Sequence, residues 1–188
     1  MAPDNVGSAA GGSREAGPAV GPFAEQGQVG QAGAGIADAQ VLTSPPGDSA
    51  VQREAETEML AALGTDLRAQ FRSYRICLVD GAQVEVDGFS EDPPILVEAW
   101  AHQGPPKGGQ RNKVLADALK LQLAAGLFDP RPRLILCFAD EDAARPFRPS
   151  ARTWYAKALR DSKVDVVIVE LPEHVRAQIR EAQRRQSR

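Results

Sequence analysis

Four stretches of this chain carry apolar residues at helical spacing and five carry them at strand spacing, and their order sets the architecture. Residues 50–63 are good helix formers in which Met59, Leu60 and Leu63, continued by Leu67, recur three and four apart. Asp48 or Ser49 can cap this helix, and Gly64 can end or interrupt it. Glu56 lies four residues before Leu60 and is expected near the buried stripe, whereas Glu54 and Glu58 point more towards water. Two β-rich runs follow, at 74–79 and 83–88, with Asp80-Gly81 between them, which is a strong hairpin signal.

A third strand is predicted over 95–101, after the Pro93-Pro94 break. Side chains alternate along a strand, so Leu96, Glu98 and Trp100 share one face. Residues 102–109 read as a loop from their Gly and Pro content. A second helix resumes with Val114, Leu115, Ala118, Leu121 and Ala125, and Gly126 is a natural stop. Residues 133–138 form a near-continuous apolar run, the pattern of a strand buried on both faces, closed by a charged, solvated turn at Asp140-Glu141-Asp142. A short helix at 153–159, a strand at 164–169 and a terminal helix over 172–188 complete the series.

An antiparallel meander followed by a strand-helix-strand crossover gives an α/β domain, a mixed five-stranded sheet flanked by helices. Composition limits it to residues 49–188. Residues 1–48 are dominated by Gly and Ala, show neither period, and are expected to be a disordered tail, because they cannot bury enough surface to offset ordering entropy.

The tail carries one arginine against five acids, a charge of −4 within the chain's −3, which leaves the remainder at +1. Any basic footprint for nucleic acid must therefore be local. The start lacks a basic segment followed by an apolar one, and no apolar run approaches the length of a membrane span, so a cytoplasmic protein with no membrane partner is expected. Cys77 and Cys137 lie in separate apolar runs without CxxC spacing and are expected as core residues. His102 has no second His or Cys at ligand spacing, which argues against zinc. Lys107-Gly108-Gly109 lacks the strand-GxxxxGK[ST]-helix order of a phosphate-binding loop of the Walker type.

The chemistry concentrates around two carboxylates. Asp87 and Glu98 sit late in neighbouring strand-like runs, where such a pair can hold a hard divalent cation. Glu98 interrupts an otherwise apolar strand, and a charge buried there costs several kcal/mol unless it is paired or bound to a metal. Lys113, in the first turns of the next helix, is the nearby candidate cation, with pairing to Asp117 at i+4 as the bland alternative. The terminal arginines, Arg176, Arg180 and Arg184 among them, read as a solvated helix face.

A glutamate on the first helix, an aspartate ending the second strand and a glutamate in the third strand before a helix together resemble the restriction-endonuclease-like PD-(D/E)xK nuclease superfamily. The stretch from Ile95 to Leu121, with Glu98, His102-Gln103-Gly104, Gln110, Lys113, Asp117 and Lys120, also looks like an uncharacterised bacterial branch of it. The resemblance implies Asp87 and Glu98 as Mg²⁺ or Mn²⁺ ligands, Glu56 assisting through water, and hydrolysis of phosphodiester bonds in DNA. Trp100 stands where the motif lysine belongs and Val86 where its proline belongs. Because members of the superfamily relocate this lysine to the following helix, the resemblance assigns the role to Lys113. Substrate contacts are expected from His102 and Gln103, just past the third strand, from Gln110 at the helix start, and from the charges of Lys107 and Arg111. The loss of the lysine also supports an alternative, a catalytically inactive module of the same fold that binds nucleic acid, a protein partner or a second copy of itself.

Overall fold

The apolar run that contains Glu98 becomes the middle strand of a five-stranded sheet. The structure, a computed structural model, describes residues 50–78 and 81–186. The expected tail, the capping candidates Asp48 and Ser49, and Asp80 of the hairpin lie outside the described residues.

The elements run α1 (Ala50–Leu67), β1 (Arg72–Cys77), β2 (Gln83–Ser90), β3 (Ile95–Trp100), α2 (Gly108–Ala125), β4 (Arg133–Phe138), α3 (Glu141–Ala144), a 3₁₀ turn (Arg145–Phe147), α4 (Trp154–Asp161), β5 (Val164–Ile168) and α5 (Glu173–Gln186). The strands are ordered β1-β2-β3-β4-β5, antiparallel up to β3 and parallel from β3 to β5, a mixed sheet as the pattern predicts.

Alternation divides the core between the two faces of this sheet. Val84, Val86, Phe89, Leu96, Leu134, Leu136 and Phe138 pack with Val114, Ala118 and Leu121 of α2 and Leu159 of α4. Ile95, Val97, Ala99, Ile135 and Cys137 face the other way, against Ala55, Met59 and Leu63 of α1 and Val175 and Ile179 of α5. Helix α1 continues through Gly64 to Leu67, because the glycine is buried where a Cβ would lie 2.6 Å from the Ala69 carbonyl oxygen. At this position glycine serves close packing, and the chain turns only at Arg68, which takes a positive φ of 53°.

Two expectations are corrected. Cys77 is exposed, because β1 is an edge strand whose Ile76 turns to the core and Cys77 away from it. Cys137, in the interior strand β4, is buried, and burial pushes its thiol up to about 12. The acidic turn after β4 is not simply solvated. Asp140 caps the short helix α3, its Oδ1 accepting the Ala143 N–H at 2.8 Å, and the same oxygen accepts the Gly104 N–H at 3.1 Å. It thereby ties the end of β4 to the loop that follows β3.

Candidate active site

Strands β2 and β3 pair from Ser90↔Ile95 to Gly88↔Val97, and one step further along this register Asp87 comes opposite Glu98. There the Ala99 N–H donates to Asp87 Oδ2 at 2.9 Å, so a side chain takes a ladder donor where the recorded pairing stops. On its other edge β2 carries an extra residue relative to β1, since Arg72 pairs Phe89 and Tyr74 pairs Val86. The bulge falls on Asp87-Gly88, and a bulge re-aims the side chain it carries. Gly88 is closely approached, since a Cβ there would meet the tip of the Leu60 side chain at 2.8 Å and Phe71 Cδ1 at 3.3 Å, and those side chains would have to shift.

The fork opens into a cleft of about 1050 Å³ lined by residues of α1, β2, β3, the following loop, α2 and α5. It brings together Asp87, Glu98, Glu56, Lys113, His102, Gln103, Lys107 and Gln110. Arg111 is not among its lining residues, and its guanidinium Nε donates to the Pro106 carbonyl at 3.0 Å. Glu56 is half-buried beside fully buried Ala55, and Glu54 is exposed, as the helical stripe predicts; Glu58 is half-buried as well.

Glu98 is 4 % exposed. Its Oε2 lies 2.6 Å from the Lys120 ammonium, while its Oε1 is buried and has no hydrogen-bond partner among the described residues. Burial, then the neighbouring charge of Asp87, push the Glu98 carboxyl up to about 8 against the opposing pull of Lys120. The Asp87 carboxyl is also raised, by burial first, with the Ala99 N–H and Lys120 pulling the other way.

The ammonium at Glu98 is therefore that of Lys120. Lys113 Nζ sits 2.9 Å from Asp117 Oδ2 and 5.1 Å from the centroid of the Trp100 ring. The geometry of a helix packed over a strand accounts for the difference. Helix α2 starts beyond the carboxyl end of β3 and runs back over it, so Trp100 at the strand end meets the first turns. Two residues back along β3 is roughly 6–7 Å, equivalent to about four residues of helix. A lysine side chain also leans towards the helix N-terminus, so Lys120 reaches a point well before its own Cα. The signal was present in sequence, since Lys113, Asp117 and Lys120 recur at i, i+4 and i+7 on one face. Partial burial works against the Lys113 charge, but the hydrogen bond to Asp117 and the charges of Asp117, Glu98 and Asp87 together raise its pKa.

The remaining expected contacts divide by how their polar atoms are used. Gln103 is buried, and its amide nitrogen donates to the carbonyls of Ala101 and Ala139, each at 3.4 Å, which makes it a brace within the loop. Gln110 caps α2, its Oε1 accepting the Lys107 N–H at 2.7 Å, and its amide nitrogen lies 3.4 Å from His102 Nδ1. On the other side of the imidazole, Gln183 of α5 has its amide nitrogen 3.3 Å from His102 Nε2. Gln183 also clasps the backbone of Gln103, with its Oε1 accepting the N–H at 2.9 Å and its amide nitrogen donating to the carbonyl at 3.1 Å. Burial lowers the pKa of His102, with Asp140 opposing that effect and Lys107 adding to it, so the ring is neutral at pH 7. Gln183 lies 80 residues from Gln103, and no local pattern in the sequence announces the contact.

Among the described residues, no group of three or more His, Cys, Asp or Glu side chains is arranged to hold a metal ion. The donors that do converge, two carboxylates with one buried oxygen unpartnered, suit Mg²⁺, which takes one or two protein carboxylates and completes its shell with water and substrate phosphate. No helix among the described residues is long and apolar enough to cross a membrane. Comparison with protein-family models, with curated proteins and with solved structures returns no match.

Proposed function

We propose that this domain hydrolyses phosphodiester bonds in DNA, with a divalent cation held by Asp87 and Glu98 and with Lys120 as the lysine of the site. The reading also takes the fold as restriction-endonuclease-like. One observation carries it: a carboxylate buried in a central strand, with an unpartnered oxygen, stands beside a second carboxylate and an ammonium at the edge of an open cleft. Such a cluster is costly to bury, and carboxylates perturbed by burial and a charged neighbour in a cleft mark a candidate functional site. When bound, the cation supplies activation of water and neutralisation of charge at phosphorus.

The residues of the chain divide the remaining work. Asp87, fixed by the Ala99 N–H, and Glu98, fixed by Lys120, would hold the cation. Lys120, held at 2.6 Å from Glu98, would supply a positive charge against the charge that develops at phosphorus. Glu56 faces the same cleft from α1 and suits contact through water. Lys107, exposed at the start of α2, suits a phosphate of the bound strand.

The test is cleavage of DNA and of RNA with Mg²⁺ or Mn²⁺. Asp87→Asn and Glu98→Gln are expected to abolish cleavage, Lys120→Met to reduce it by about a hundredfold or more, and Lys113→Met to change it only a few-fold. Cleavage that survives both carboxylate substitutions overturns the reading.

A second reading has its own observation. The Lys120 ammonium already faces the Glu98 carboxylate, so the chain itself supplies a cation for the pair, as in an inactive module that binds nucleic acid or a protein partner. Calorimetric titration with Mn²⁺ separates the two, because heat that depends on Asp87 is expected only for the metal-dependent enzyme.

A further inference from the structure

Trp154 is 62 % exposed at the first position of α4, although a tryptophan left in water forfeits a large burial gain. Its ring is stacked on Tyr155, with centroids 4.2 Å apart and planes 29° from parallel. Tyr155 meets Phe147 edge-on at 5.7 Å, and Phe147 stacks on buried Phe138 of β4 at 5.5 Å. The exposed ring is thus the outer rung of an aromatic ladder anchored in the core, and a side chain held in this way loses little freedom when something stacks on it.

The surroundings are basic. Residues 141–161 carry five arginines and lysines against three acids, a net charge of +2. Arg145 and Arg148 pair with Asp142 and Glu141, and Lys157 pairs with Asp161, whereas Arg152 is exposed and has no ion-pair partner among the described residues. Thr153 caps α4 by accepting the Ala156 N–H at 3.1 Å, so the free N–H groups of the first turn add positive potential beside the ring. Topology puts this end of α4 on the same side of the sheet as the cleft. Strands β3, β4 and β5 are parallel, and α2 and α4 both start on the side of their carboxyl ends, where open α/β sheets bind ligands.

We infer that Trp154 and Arg152 form a stacking platform for an unpaired nucleotide, so that the strand led into the cleft is single-stranded or locally opened. A base lies on the free face of Trp154 and its phosphate faces Arg152. The inference rests on the nucleic-acid reading of the cleft and narrows it to a substrate class. An aromatic face with an adjacent arginine is tolerant of base identity and selective for unstacked bases, because a base within a duplex has no free face to offer.

The experiment measures binding of a fluorescently labelled oligothymidine and of a duplex of equal length to the full chain in EDTA, where nothing is cut. The expected result is preference for the single strand, weakened about tenfold by Trp154→Ala, largely restored by Trp154→Phe, and with duplex binding unchanged. Arg152→Ala is expected to lower the slope of log affinity against log salt by about 0.7 for the single strand. An unchanged melting temperature shows that each variant is folded. Equal weakening of single strand and duplex by Trp154→Ala, no weakening of either, or binding of polyglutamate in preference to oligothymidine overturns the inference, as does a dimer that Trp154→Ala dissolves. Cleavage assays keep the two proposals apart. Strand binding that depends on Trp154 without any cleavage that depends on Glu98 sinks only the enzymatic reading, and the converse sinks only the platform.

Discussion

Strands β3 and β4 lie side by side in parallel register, and Glu98 of one stands opposite Leu136 of the other. Each has six residues, and in each all but one terminal residue is buried. In β4 the interior is uniformly apolar, and packing alone accounts for it. In β3 the same environment holds a carboxylate, and around it are a bulge that turns Asp87 inwards, a lysine reaching from α2, and a cleft. The contrast separates a position shaped by folding from one that folding would not select. Hydrophobic residues of similar volume usually replace a buried ion pair with no loss of stability, or a gain.

The comparison breaks most sharply if β4 is made to resemble β3. Leu136→Glu would bury a second carboxylate directly opposite Glu98, whose Oε2 already engages Lys120, and is expected to cost more than about 4 kcal/mol, seen as loss of a cooperative urea transition at pH 8. Next in size is removal of the cation that β3 has recruited. Lys120→Met is expected to cost about 1.4 kcal/mol more at pH 9, where Glu98 is ionised, than at pH 6, where it holds a proton. An equal loss at both pH values would show that Lys120 acts through packing.

Making β3 resemble β4 should do the opposite. Glu98→Leu is expected to raise stability by about 1–3 kcal/mol at pH 9 and, under the proposed function, to eliminate cleavage, checked by urea unfolding and a nuclease assay on one preparation. The pH dependence follows with its sign. The folded-state pKa of Glu98 lies near 8, above its ordinary 4.5, so the folded protein binds the proton more tightly than the unfolded chain. In metal-free buffer that contribution is complete below about pH 4.5 and lost as pH rises through about 8. Stability should therefore fall across this window, and Glu98→Gln should flatten the decline. A wild-type profile that rises from pH 5 to 8 would contradict the assignment.

The smallest effect is expected at the other lysine. Lys113 is exposed at its own end of the pair and Lys120 stays 3.9 Å from Asp117 when it is removed, so Lys113→Met should change stability by under about 1 kcal/mol. A loss there as large as that from Lys120→Met would erase the distinction between the two cations.

Much of the fold was legible because it depends on local periodicity. The alternation that put Leu96, Glu98 and Trp100 on one face is a property of any strand, and it holds in the sheet, where α2 covers that face. Glu56 was legible for the same reason, from its place on the α1 stripe beside Ala55 and Met59. Cys77 was misjudged because an apolar run does not reveal whether its strand lies at the edge or the centre of a sheet. The capping role of Asp140 was missed because three consecutive acids look solvated until a neighbouring loop presents an N–H to one of them.

The sequence alone determined the order of the five strands and four longer helices, the mixed sheet, and the presence of a charge in a strand that could not carry it unaided. Only the tertiary structure decided which side chains answer that charge: Lys120 rather than Lys113 at Glu98, the Ala99 N–H at Asp87, and Gln183 braced across His102 and Gln103. The physical reason is one of range. Periodicity fixes which face of an element a residue occupies, whereas the partner on the facing element depends on how far a helix is displaced along the strand beneath it, and a shift of about one helical turn exchanges one lysine's reach for another's.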